Sequence, residues 1–386
     1  MKWIFIISLA MALSTPALGD RDDAGEKSDQ HAMSSGSPVD VFPDLREDDV
    51  PVDVGGEKED RNWFAVPIPM SSPTFGTGLI LGGAYYFEQT DEQKAVQPAS
   101  FTGAAVGYTS NESWFAGAMY QGYFDEDKWR VNALAAYADF KLELVPPPEN
   151  SDEGALDWLV SGAIGQINFQ RRLKGEWYLG ASLRYLNIQQ DFDLDIEDLP
   201  DFNLNQSITS PGVGVKLEYD SRDIPSNPYD GKRLELRAVF ADQKNVEKGS
   251  YQSYYARFRA YHRLSKPLVL AWEVNACWKD GRIPLWDTCR LTLRGFPVTE
   301  YLSLQNVQAQ VELRWNFWKR WGVVAFAGGG RVRDSLGGYG EDDTIPSYGV
   351  GIRWMVLESQ RINVRVDYAR SDDGNDAWYL SVAEAF

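Results

Sequence analysis

Few residues of this chain have the types and spacing that chemistry requires. His262 and Ser265 stand close together, as a base and a hydroxyl nucleophile would. Closeness in sequence does not make a catalytic pair, which is defined by geometry and a third orienting group. No nucleophile elbow accompanies them, and the only other histidine, His31, lies in a polar stretch. The plainer reading is that they end a strand and form its tight turn, so no enzyme is expected. Two Cys and two His leave no multi-Cys zinc site. Acidic clusters at 191–201 and 341–343 lack the spacing of a calcium loop and read as solvated loops, holding divalent cations loosely at most. No metal or cofactor is therefore expected. Cys277 and Cys289 are either two unpaired small residues or, in an oxidising compartment, a disulfide. The second reading is favoured because the chain reads as exported.

The elements that would position these residues are strands. From Asn62 onward, apolar and polar residues alternate in segments of about ten, the length of a tilted strand crossing a bilayer. Between 307 and 317, Val307, Ala309, Val311, Leu313, Trp315 and Phe317 share one face. Gln308, Gln310, Glu312, Arg314 and Asn316 share the other. Ile362, Val364, Val366 and Tyr368 likewise oppose Asn363, Arg365 and Asp367. Such a strand fits lipid outside and a polar lumen inside. About sixteen segments recur, among them 62–70, 158–171, 175–190, 210–220 and 376–386. In the last, Trp378, Leu380, Val382 and Phe386 are placed on the lipid face, which Glu384 interrupts. The long connections 143–157, 191–209, 279–303 and 333–344 follow odd-numbered segments, as outer loops should if both ends are periplasmic. The expected fold is all-β, a 16-stranded antiparallel transmembrane barrel with short inner turns.

The start of the chain sets the compartment. Met1-Lys2, the apolar run Trp3 to Leu13 and the small residues Ala17-Leu18-Gly19 read as residues 1–19 of a cleaved signal peptide. Residues 20–61 are acidic and poor in large apolar groups, so they read as a disordered linker. Residues 62–386 form the barrel. A net charge of −18 excludes a nucleic-acid binder that rests on phosphate neutralisation.

Three stretches resemble the BamA/TamA outer-membrane assembly barrels of Gram-negative bacteria, also called bacterial surface antigens. Asp220-Ser-Arg222-Asp223-Ile-Pro-Ser-Asn-Pro228-Tyr-Asp-Gly231 resembles their inner turn. Leu293-Arg294-Gly295-Phe296 resembles the tip of their sixth outer loop, and Val66-Pro67-Ile68-Pro69 resembles their opening strand. The resemblance covers about 62–386. It implies that the sixth loop folds into the lumen, where Arg294 meets Glu312. The family's second acid would fall at Gly328, so that lock is incomplete or uses another acid. The periplasmic POTRA domains that precede assembly barrels do not fit in the linker.

The resemblance implies a role in outer-membrane protein assembly or protein translocation, at the seam between first and last strands. Pro67, Pro69 and Phe386 would border that seam. The prolines lack N–H donors on one edge, which faces either the last strand or the second. The alternative is a passive channel or membrane-organising barrel. Expected partners are outer-membrane lipid and lipopolysaccharide, the barrel assembly machinery during biogenesis, with Phe386 as its recognition signal, and an unfolded outer-membrane or secreted client.

Overall fold

The computed structural model describes residues 62–144, 156–193, 204–224, 227–244, 248–335, 344–357, 361–371 and 376–386. The expected signal peptide, the linker and the acidic stretch 341–343 lie outside the described residues, as does most of 191–201.

The strands are β1 (Trp63–Ser72), β2 (Gly76–Tyr86), β3 (Phe101–Thr109), β4 (Trp114–Phe124), β5 (Trp129–Leu144) and β6 (Leu156–Lys174). There follow β7 (Trp177–Asp193), β8 (Leu204–Asp220), β9 (Gly231–Gln243), β10 (Gly249–Ser265) and β11 (Leu268–Gly281). The last are β12 (Cys289–Arg290), β13 (Leu302–Trp318), β14 (Trp321–Ser335), β15 (Ile345–Leu357), β16 (Ile362–Ser371) and β17 (Asp376–Val382). Every wall strand pairs antiparallel with its chain neighbour, β11 pairs directly with β13, and β1 meets β17. The result is a closed barrel of sixteen strands, with β12 hooked onto β13 inside the sixth loop.

The burial pattern is inverted relative to a soluble protein. On β13 the polar residues Gln308, Glu312 and Arg314 are buried while Val307, Val311, Leu313 and Trp315 are exposed. Exposing such a belt to water would be strongly unfavourable; in hydrocarbon it is not. Closure also pairs the backbone groups that an open sheet edge would strand in lipid. Aromatic pairs mark both ends of the belt. Trp129–Phe169 and Trp177–Tyr219 sit toward the short inner turns, Trp114–Tyr137 and Tyr368–Trp378 toward the outer loops.

Two expectations are corrected. β8 begins at Leu204, six residues before the expected segment 210–220, while β6 and β7 keep within three residues of 158–171 and 175–190. Alternation continues past the membrane. The inward residues Trp158, Val160, Leu186, Ile188 and Ile208 have something apolar to cover, Trp286 of the sixth loop and Leu302 at the start of β13. Part of the outer half of the lumen is therefore an apolar core rather than a polar channel.

The second correction concerns Phe386. β17 ends at Val382, and Ala383 takes a left-handed φ of +69°. Continued alternation would have put Glu384 into lipid. The turn instead brings it inside, where Arg353 Nε donates to it at 2.8 Å. The same turn buries Phe386 in the lumen against Tyr261 and Ala271, so Phe386 neither faces lipid nor borders the seam.

Candidate functional site

The sixth outer loop, residues 282–301, folds back into the barrel. Its base is fixed twice. Cys277 of β11 and Cys289 are joined by a disulfide. Asp287 accepts from Lys279 Nζ at 2.6 Å, Tyr251 Oη at 2.7 Å and Arg184 Nη2 at 3.0 Å. Burial by itself would raise the Asp287 carboxyl, but the Lys279 and Arg184 charges outweigh it and hold the group well below the usual carboxylate range.

Below this base, Leu291, Leu293, Phe296 and Tyr301 pack with Val332 and Ile345. Gly328 and Gly330 on β14 make room for them. A Cβ at Gly330 would lie 2.7 Å from Leu291 Cδ2, and one at Gly328 would lie 2.7 Å from the Ala309 oxygen. Gly295 turns the tip at φ +108°, and its N–H donates to Tyr379 Oη at 2.8 Å.

That tip delivers Arg294. Its Nη2 lies 2.5 Å from Glu312 Oε1, and its Nη1 lies 3.0 Å from Asp367 Oδ2 on β16. The Phe326 ring stacks on the guanidinium, 3.4 Å from its carbon. The second acid is therefore Asp367, not a residue at position 328. A carboxylate at 328 would collide with the backbone that Gly328 approaches. Asp367 also receives Arg353 and Arg365, at 2.5 and 2.8 Å. Glu312 also receives Arg314 Nε at 2.8 Å, and Arg314 Nη2 donates to the Phe386 oxygen at 2.7 Å. A planar guanidinium can hold two carboxylates in this way where an ammonium cannot.

At the seam, β1 and β17 pair at one position, Ser71 opposite Leu380, whereas β5 and β6 pair from Trp129 to Leu144. The proline edge follows from hydrogen-bond parity. The Asn62 oxygen accepts from Tyr86 N, so even-numbered residues of β1 turn their polar backbone toward β2. Odd-numbered residues turn theirs to β17. Pro67 and Pro69 thus withhold two donors from the seam.

The inner turn crosses the inner mouth. Asp220 accepts from Arg222 Nε at 2.8 Å, and Asp223 accepts from Tyr229 N at 2.9 Å. Pro228 is buried, and Gly231 at φ +108° leaves no space for a Cβ, which would meet the Ser221 oxygen at 2.2 Å. Arg361, from the turn before β16, donates to Asp223 at 2.7 Å and stacks on Tyr229 at 3.9 Å. Asn316 of β13 donates to the Tyr229 hydroxyl at 3.1 Å.

Sequence reasoning placed Arg365 and Asp367 inward and noted Glu384, but tied neither these nor Arg353 to the sixth loop. Alternation had put Asp367 on an inward face, but nothing in its spacing tied it to a loop far away in sequence. It also passed over Asp127, a turn residue that Arg130 and Arg172 both grip at 2.5 Å. His262 and Ser265 lie exposed at the inner end of β10. Among the described residues no cluster of His, Cys, Asp and Glu is arranged to hold a metal ion.

A family model described as the Omp85 superfamily domain matches residues 99–386. No curated protein matches the chain. Among solved structures, BamA from Haemophilus ducreyi lacking POTRA domains 1–3 is similar at 13% identity and a TM-score of 0.57, covering 84% of this chain and 71% of that one. CdiB from Acinetobacter baumannii is similar at 10% identity and a TM-score of 0.54, over 83% of this chain and 59% of its own. CdiB from Escherichia coli is similar at 12% and 0.54, over 85% and 64%. This chain thus spans less than two thirds of either CdiB. At these identities the likeness speaks for the fold.

Proposed function

This chain belongs to the Omp85 superfamily, and from that premise we propose that it works non-enzymatically in the bacterial outer membrane, assisting assembly or translocation of other proteins through its seam. The observation that carries this reading is the seam itself. One paired position joins β1 to β17, and the two prolines beside it cannot donate. Each missing ladder bond is worth about 1 kcal/mol net in water and more in lipid. A seam this short opens at lower cost than any other strand pair of the wall. An opened β1 would offer its unpaired edge to an incoming client strand, by the strand addition that sheet edges support.

Reconstitution tests the proposal. Liposomes containing the full chain should fold a second, unfolded barrel protein faster than empty liposomes, followed by the gel shift that heating produces in folded barrels. Equal rates would overturn it. The passive-channel reading has less support, because the sixth loop and the inner turn fill the lumen.

A further inference from the structure

We propose that the seam also binds a single-chain anionic amphiphile, a fatty carboxylate whose head enters the lumen while its tail stays in the bilayer. A cavity of about 180 Å³ lies between β1, β17 and the tip of the sixth loop. Its wall takes residues from both faces of β17. Tyr379 and Ser381 share the inward face of Ala377 and Leu380 the outward face of Trp378, while Val382 packs on the buried Ile68 and Ile80. The cavity therefore passes through the barrel wall, from lipid to lumen. Such a passage is open because the two strands pair only at Ser71 and Leu380.

Arg294 and Arg365 line this cavity, 7% and 4% exposed. Each leaves its Nε without a hydrogen-bond partner. Arg365 has one carboxylate among the described residues, Asp367, and shares it with Arg294 and Arg353. Arg294 and Arg353 each hold a further acid, Glu312 and Glu384, so what the cavity offers an anion is the pair of unpartnered Nε donors on Arg294 and Arg365. The rest of the lining is largely apolar, including Ile68, Met70, Phe296 and Val382. A bare inorganic anion would leave that surface unfilled, and a neutral alkane would leave the arginines unmatched. An alkyl carboxylate satisfies both. The volume corresponds to roughly six water-sized portions of about 30 Å³, enough for a head and its first methylenes.

The site is independent of insertion activity, so the two readings fail separately. The full chain in a neutral maltoside detergent would be titrated with palmitate and, in parallel, with hexadecanol, and complexes counted by native mass spectrometry. Palmitate should bind one to one and at least about ten-fold more tightly than hexadecanol, a difference of roughly 1.4 kcal/mol. Arg365→Gln should remove that preference. Ser381→Trp, which fills the passage and removes no charge from the cluster, should block both ligands and keeps the test valid if the arginine variant does not fold. Equal binding of palmitate and hexadecanol would overturn the proposal, as would palmitate binding that survives Ser381→Trp. Binding confined to a pentapeptide ending in Phe would assign the cavity to a protein client and overturn it too.

Discussion

At the scale of single residues, Arg294 is the point on which the lumen turns. It carries one guanidinium between acids on β13 and β16, so it ties the sixth loop to two distant parts of the wall. Removing one member of a buried ion pair leaves the others uncompensated, typically at about 3–5 kcal/mol. Arg294→Ala should therefore make the sixth loop sensitive to added protease in intact barrels, and an unchanged digestion pattern would show that the arginine holds nothing. Asp367→Asn should have a similar effect, whereas restoring the family's acid with Gly328→Asp should not repair it, because Leu293 and the Ala309 oxygen occupy that space. Some of this was legible in the sequence. Alternation placed Glu312 and Asp367 inward, and the loop motif named Arg294. What local pattern could not supply was which of several inward acids the arginine reaches, since that depends on how far the loop descends.

At the scale of elements, the strands were readable because lipid enforces a period of two more strictly than water does. Boundaries fell within a few residues for most of the wall. The exception is β8, which begins six residues before the expected 210, where the pattern is held by a packed loop instead of by lipid. The failure at β17 has a related cause. A period of two predicts a straight continuation, and one left-handed residue, Ala383, ends it. Two predictions belong here. The disulfide closes a loop of 12 residues, for which chain entropy gives a stabilisation of about 3 kcal/mol. Cys277→Ser with Cys289→Ser should lower the unfolding temperature, and untreated protein should resist thiol alkylation. At the other end of the chain, Pro67→Ala with Pro69→Ala returns two donors to the seam. Amide hydrogen exchange in β1 and β17 should slow, and client folding should slow with it. Faster exchange would mean that the prolines stiffen the seam rather than loosen it.

At the scale of the whole molecule, the barrel is closed above and below. The sixth loop fills its outer half, and the inner turn lies across its inner mouth under Arg361 and Asn316. The sequence announced the loop through its motif and its length. It gave no sign of the inner closure, because a turn of this length can lie flat against its own hairpin as easily as reach across a lumen. Arg361→Ala should loosen that closure and raise ion conductance in planar bilayers, while single-channel traces indistinguishable from the parent would show that the turn does not obstruct the pore. The tucked position of Phe386 has a consequence for timing. Its ring lies among Tyr261, Ala271 and Arg314, contributed by strands that are far away until the cylinder has formed. A factor that reads this aromatic can do so only while the chain is still open. Once the wall closes, the ring is out of reach from the bilayer and from the solvent.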